Sequence, residues 1–230
     1  MNADPRAIQL VMKLRKYGIG QSVLDAIERT PREAFVDRPF AHAAWDNTAL
    51  PIACGQTISQ PLIVAYVSDA LRLEPHMRVL EIGSGSGYQA AVLSLLCRRV
   101  YAVERHKPLL QDAEARFKAL KLENIVTRHA DGLAGWPEQA PFDRILLSAA
   151  VQEVPQILID QLKSGGRLIA PVGSVPNSNI LPPVESVSQR LVQIILGRDG
   201  VERTELIPVM YVPMVAGLPG KETDERETKS

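Results

Sequence analysis

The 230-residue chain carries 26 Lys+Arg against 26 Asp+Glu, with 46% apolar and 23% charged residues, the balance of an ordinary soluble protein with one sizeable domain. A formal charge of zero argues against a broad nucleic-acid footprint or a polybasic membrane anchor, and no apolar run approaches the ~18 residues that span a bilayer. Cys54 and Cys97 form no CxxC and no metal-type spacing, and the N-terminus lacks the continuous apolar core of a signal peptide, so a cytoplasmic protein without disulfides or zinc is expected.

Asp4-Pro5 opens a helix, with Asp as N-cap and Pro in the first turn, and Ile8, Val11 and Met12 continue it toward Gly18. A second helix carries Val23, Leu24 and Ile27. Thr30-Pro31-Arg32-Glu33 reads as a capping box that starts a short helical turn. Residues 37–60 show no period, and irregular stretches of that length in compact domains are functional or disordered. Their content of Phe40, Trp45, Leu50 and Ile52 favours order. From Pro61 the pattern alternates: helix 61–73, strand 78–82, helix 88–97, strand 99–103, helix 108–120, strand 126–130, strand 142–148, helix 154–162 and strand 166–171. That rhythm predicts an α/β fold, a parallel sheet with helices on both faces. Residues 173–188 read as an exposed loop rich in Ser, Pro and Asn. Two strand-like runs, 190–197 and 201–212, flank Arg198-Asp199-Gly200, which predicts a closing antiparallel hairpin.

Glu81-Ile82-Gly83-Ser84-Gly85-Ser86-Gly87 lies where a strand runs into a helix. Glycines there let the backbone turn sharply and approach a ligand at the carboxyl ends of the strands. Tyr88 occupies the place where a dinucleotide fingerprint needs its third glycine, which counts against NAD. Glu104 ends the next strand, placed to accept from ribose hydroxyls, and Asp131-Gly132 ends the third, placed to accept from an exocyclic amine. Carboxylates at three successive strand ends repel a phosphate and attract a nucleoside bearing a sulfonium and an ammonium. S-adenosylmethionine fits this pattern; ATP does not.

With these residues in view, the chain resembles the protein-L-isoaspartate O-methyltransferases, a family of class I methyltransferases. The resemblance rests on 31–36 (PREAFV), Ala44-Trp45-Asp46-Asn47, 55–61 (GQTISQP), 79–89 (VLEIGSGSGYQ), Val103-Glu104-Arg105 and Asp131-Gly132. It continues through Pro141-Phe142-Asp143, Gly165-Gly166-Arg167-Leu168, Pro171-Val172-Gly173 and Val212-Pro213-Met214. It implies a Rossmann-like seven-stranded sheet, mostly parallel, with an N-terminal helical extension over the acceptor site. In domain terms, 1–217 would be one unit, with 1–60 as the extension and 61–217 as the core, and 218–230 a disordered tail. Glu81, Gly83 and Gly85, with Ser84 between them, would face the methionine part of the cofactor. Glu104 would face the ribose, and Asp131 with Gly132 the adenine. Ser59 matches the family's active-site serine, within a substrate segment of Thr57, Ile58, Ser59 and Gln60. Val151-Gln152 stand where the family carries a Pro-Pro-like pair, and the 174–188 loop is longer than usual.

The resemblance implies methyl transfer from S-adenosylmethionine to the free α-carboxylate of L-isoaspartyl residues in damaged peptides and proteins, by a monomer binding neither nucleic acid nor membrane. A carboxylate acceptor arrives ionised and needs no general base. Ser59 lies just before the helix starting at Pro61, whose free N–H groups and dipole make a carboxylate seat to which the hydroxyl adds a donor. On residue chemistry alone Ser59 reads equally as a helix cap. His42, His76, His106 and His129 share no metal-ligand spacing, and Ser84 and Ser86 lack a hydrolase context. Two alternatives stand beside this reading: a class I methyltransferase of another acceptor, and a cofactor-binding homologue without turnover.

Overall fold

A computed structural model describes residues 4–174 and 189–220. Helix α1, Pro5–Arg15, is capped by the Asp4 side chain, which accepts from the Arg6 N–H at 2.8 Å. Its buried face is Ala7, Leu10, Val11 and Leu14, so Ile8 and Met12 point to solvent, contrary to the spacing read from sequence. Helix α2, Gln21–Arg29, buries Val23, Leu24, Ala26 and Ile27. The expected capping box at Thr30 does not form. The Thr30 hydroxyl instead donates back to Ala26 O at 2.7 Å, closing the end of α2, and Arg32–Phe35 is a single 3-10 turn without a side-chain cap.

Residues 37–60 are more regular than their sequence suggests. A 3-10 stretch, Arg38–Ala43, leads into a two-stranded antiparallel hairpin, β1 (Leu50–Ile52) and β2 (Gln56–Ile58). Its turn puts both Cys54 and Gly55 at positive φ, 60° and 62°, the conformation that tight hairpin turns require. Helix α3, Pro61–Ala70, follows.

The large sheet comprises β3 (Arg78–Ile82), β4 (Arg99–Glu104), β5 (Ile125–His129), β6 (Phe142–Leu147), β7 (Leu162–Val172), β8 (Gln189–Gly197) and β9 (Gly200–Val209). Its order is β5-β4-β3-β6-β7-β8-β9. The pairs from β5 through β7 are parallel, while β7/β8 and β8/β9 are antiparallel. The predicted closing hairpin is therefore present, and β5 and β9 form the two edges. Helices α4 (Tyr88–Ser94), α5 (Lys107–Ala119) and α6 (Gln156–Ile159) connect the strands. The last is four residues where nine were expected, because β7 begins pairing at Leu162 opposite Phe142. Residues 175–188 and 221–230 fall outside the described residues, and with them most of the expected loop and tail.

Strand side chains alternate between faces, so each strand feeds two cores. Val79, Val100, Ala102, Leu146 and Ile169 join the residues of α1–α5 in one cluster. Leu80, Ile82, Val103, Ile145, Leu147 and Leu168 join Trp136 and α6 in the other. The chain reverses its direction of travel across the sheet between β3 and β6, where open α/β sheets place their ligand crevice. In register, Ile82 lies beside Val103 on one side and Leu147 on the other, so Gly83, Glu104 and Ser148 emerge together at that crevice.

The glycine loop is fixed from behind by α5. Gly87 sits at φ 88°, and a Cβ there would lie 2.7 Å from Phe117 Cζ and 3.0 Å from the Ala113 methyl. Gly87→Ala should lower folding stability by about 1–3 kcal/mol through this overpacking, read as a lowered urea midpoint. An unchanged midpoint would mean that α5 is free to move away from the loop.

Candidate active site

Two cavities, each of about 500 Å³, meet at the carboxyl ends of β3, β4 and β6. The first has Gly83, Gly85, Glu104 and Gly132 on its walls, with Met214, Val215 and Leu218 across from them. Gly83 and Gly85 stand at φ 85° and 52°. The Gly83 N–H donates to Val103 O at 2.8 Å, which ties the start of the loop to β4. Glu104 then braces the loop: its Oε2 accepts from Gly85 N–H at 2.8 Å and its Oε1 from His106 N–H at 2.9 Å. Each carboxylate oxygen still has capacity for another donor. Gly132 needs to be glycine, since a Cβ would run into the Ile82 side chain. Asp131 caps the turn that begins there, accepting from Leu133 N–H at 2.9 Å, while its other oxygen accepts from Gly217 N–H at 2.7 Å. Arg105 Nε donates to Gly217 O at 3.1 Å. The C-terminal segment is thus latched at Gly217, and Leu218, Pro219 and Gly220 line the first cavity rather than beginning a free tail.

The second cavity is bounded by Thr48, Thr57, Ser59, Gln60, Met210 and Tyr211, among others. Thr57, Ser148, Tyr211 and Val212 belong to both cavities and form the wall between them. Ser59 does not cap α3. The N-cap is Gln60, and the exposed amide of Leu62 is taken by Asn47 Oδ1 at 2.9 Å. Gln60 Nε2 donates to Asn47 O at 2.9 Å, so Asn47 ties the two ends of the 47–62 segment together. The Ile63 and Val64 amides bond to Gln60 O. The helix N-terminus expected as a carboxylate seat is therefore occupied by the protein's own groups, which leaves the hydroxyls as donors to a ligand. Ser59 and its neighbours are set in place by Arg32, a fully buried residue whose guanidinium donates to Ala44 O, to Thr48 O at 3.0 Å and to Ser59 O at 3.1 Å.

Behind the shared wall lies Glu81, wholly buried. Its Oε1 accepts from the Ser148 hydroxyl at 3.1 Å, and its Oε2 has no hydrogen-bond partner. Burial pushes its pKa up to about 8, the Ser148 bond offsets part of that, and the charge of Glu104 adds to it. Tyr211 is raised from the ordinary phenol value by burial and by Glu81, and the Ser59 side chain that hydrogen-bonds it acts in the opposite sense.

A family model described as Protein-L-isoaspartate(D-aspartate) O-methyltransferase (PCMT) matches residues 6–218. The chain belongs to the protein-L-isoaspartate O-methyltransferase family. A protein-L-isoaspartate O-methyltransferase of Paramagnetospirillum magneticum is 54% identical over 218 residues, 94% of this chain and 98% of that protein. One from Rhodospirillum rubrum is 50% identical over 96% of this chain and 98% of its own length. Among solved structures, a protein-L-isoaspartate O-methyltransferase aligns with a TM-score of 0.78 at 28% identity, covering 92% of this chain and 66% of that one. A Plasmodium falciparum structure of the same designation, in complex with S-adenosyl-L-homocysteine, aligns with a TM-score of 0.75 at 24% identity over 94% of this chain and 99% of its own. The latter supports the fold.

Of the residues singled out in the sequence as a family cofactor and acceptor set, the structure brings Gly83, Gly85, Glu104 and Gly132 to the first cavity and Thr57, Ser59 and Gln60 to the second. Glu81, Ser84, Asp131 and Ile58 line neither. Ile58 packs into the core, Ser84 is buried behind the loop, and Asp131 is engaged with Leu133 and Gly217. The cavity fits the family cofactor: its volume suits a small-molecule ligand, one wall is backbone without side chains, and a fixed carboxylate stands at the end of β4. Val151 and Gln152, where the family pattern differs, line neither cavity. Val151 N–H donates to Pro171 O at 3.0 Å, a bond that a proline would forfeit. Sequence reasoning missed Ser148, Tyr211, Arg105 and His106. Only the Val212-Pro213-Met214 match hinted that this stretch returns to the site.

Glu81 gives the site a pH signature. Between about 4.5, its ordinary value, and about 8, the folded chain keeps a proton that the unfolded chain has released. Stability therefore falls as pH rises through that window and levels above it. Glu81→Gln should remove this slope, so its melting temperature should gain on wild type by several degrees across the window. A difference that stays constant with pH would mean that Glu81 is ionised in the fold.

Proposed function

We propose that the protein transfers a methyl group from S-adenosylmethionine to the free α-carboxylate of L-isoaspartyl residues in damaged peptides and proteins, which opens their repair through a succinimide. One observation carries the reading in a chain of this family: the glycine-loop cavity and the hydroxyl-lined cavity share the wall of Thr57, Ser148, Tyr211 and Val212. When bound, S-adenosylmethionine supplies a methyl on a sulfonium. The acceptor carboxylate, with an ordinary pKa of about 4, arrives as the nucleophile, so the chain has no proton to remove. Its work is to place two ligands and keep them aligned.

Gly83 and Gly85 give the cofactor a backbone wall free of side chains, and Glu104, locked by two amides, accepts from ribose hydroxyls. Gly132 would hold the adenine against its backbone, with Asp131 fixing its turn. Glu81 lies behind the shared wall, bonded to Ser148, and Ser84 is buried within the loop. Ser59 is the catalytic hydroxyl that orients the carboxylate, flanked by Thr57, while Ile58 and Gln60 anchor the segment. The reading extends to residues 1–217 as one unit, because α1 and α2 share the hydrophobic cluster of the sheet. It also includes a monomer acting in the cytoplasm, a reducing compartment that suits Cys54 and Cys97, both buried and not joined in a disulfide.

Glu104→Ala should weaken S-adenosylmethionine binding about tenfold or more, as for the loss of hydrogen bonds to a charged group. Calorimetry showing wild-type affinity would remove Glu104 from the cofactor site.

Selectivity decides the acceptor. In an isoaspartyl residue the main chain runs through the side-chain carbonyl, which leaves the α-carboxylate on a short branch. A normal aspartyl residue holds its carboxylate one methylene further out. Misplacement by roughly 1 Å costs about a hundredfold in rate. Paired peptides differing only in this linkage should therefore differ by at least that in kcat/KM for methyl transfer. Comparable rates would point to a different acceptor.

A further inference from the structure

Ser148 is the first residue after β6, and its N–H donates to Ile82 O at 2.8 Å, so its backbone is fixed at the switch point of the sheet. It belongs to the walls of both cavities. Ser59 also lines the second cavity, on a different element, after β2. Resting on the acceptor reading above, we propose that the Ser148 hydroxyl is a second anchor for the acceptor carboxylate, aimed into the cavity by Glu81 behind it.

The argument turns on what Glu81 can donate. Its carboxyl is completely buried, one oxygen is paired with Ser148 and the other has no partner. Burial and the nearby Glu104 both favour the protonated form at neutral pH. An ionised Glu81 is an acceptor only: it would keep the Ser148 hydrogen for itself and repel a second carboxylate arriving in front of it. A protonated Glu81 has an O–H of its own. Donating it to Ser148 Oγ releases the Ser148 hydrogen toward the cavity, where a carboxylate oxygen accepts it. Ser59 is the other donor, with the neutral Tyr211 phenol donating to Ser59 Oγ in the bond those two share, so each oxygen of the acceptor has its own hydroxyl, which fixes the carboxylate plane as well as its position. Ser148 is thus a substrate-contacting residue and Glu81 a positioning residue. Neither changes its total number of bound protons during the reaction.

The test is steady-state methyl transfer to an isoaspartyl peptide by wild type, Ser148→Ala, Ser148→Thr, Glu81→Leu and Glu81→Gln, with S-adenosylmethionine affinity measured by calorimetry on each. Ser148→Ala should raise the peptide KM about tenfold, the scale of one hydrogen bond to a charged group, with cofactor affinity within about twofold of wild type. Ser148→Thr, which keeps the hydroxyl, should recover most of that loss. Glu81→Leu should raise KM in the same way, and Glu81→Gln, which still offers a donor to Ser148, should rescue most of it. An unchanged KM in Ser148→Ala overturns the anchor. So does a cofactor affinity that falls in parallel with KM, since that puts Ser148 in the cofactor site. Wild-type protein that leaves the peptide unmethylated overturns the acceptor reading itself and this role with it.

Discussion

The acceptor half of the molecule hangs on one guanidinium. Arg32 is buried without a carboxylate bonded to it, and its charge is met by three backbone carbonyls, those of Ala44, Thr48 and Ser59, with the Tyr88 ring 5.7 Å away. Burial lowers its pKa to about 10, so it remains a cation at neutral pH. Moving such a charge out of water costs several kcal/mol, and its hydrogen bonds return a similar amount, so the net gain in stability is small. What the arrangement provides is position. A planar fork with five donors fixes the directions of the carbonyls that meet it. Because Tyr88 is the first residue of α4, directly after the glycine loop, the same group also indexes the acceptor segment against the cofactor loop.

Other links extend this frame. Asn47 joins the start of α3 to the chain preceding the hairpin, and Ile52 of the hairpin reaches the neighbourhood of Gly85. On the far side, Ala150 N–H donates to Val212 O and Met214 N–H to Ala150 O, both at 2.8 Å, which carries the chain after β9 back across the end of β6. The wall between the cavities is thus assembled from the acceptor segment, the end of β6 and the return after β9, three parts far apart in sequence.

The core was legible because its signals are local and repeated. Short apolar strands alternate with helices from residue 61 onward, and each of the seven expected strands is present within a few residues of its expected limits. The glycine loop was equally plain, since its positive φ values demand the residue they have. What escaped was whatever depends on distant partners. Thr30 matched a helix start in pattern, yet its hydroxyl found the nearer carbonyl of Ala26. The Cys54-Gly55 turn joins strands of three residues, too short for alternation to register. On residue chemistry alone Ser59 read equally as a cap, because nothing nearby in sequence reveals that Asn47 takes that work. Glu81, Glu104 and Asp131 read as three strand-end acids that all face the cofactor, at its methionine, ribose and adenine parts. The fold separates them into one wholly buried with its pKa raised by that burial, one braced by two amides at the cavity wall, and one engaged with the returning chain.

The sheet ends at β9, where Glu202, Arg203 and Glu205 are exposed in a row and Pro208 has no N–H to offer. Arg190 of β8 pairs with Glu205 at 3.0 Å, so this fringe is held in place. Open sheet edges recruit loose strands from other chains, and charges and proline are the usual defence. An enzyme for damaged proteins works among chains whose own strands are coming unpaired. The fringe on β9 gives such a strand a charged and proline-interrupted register, a poor template on which to zip.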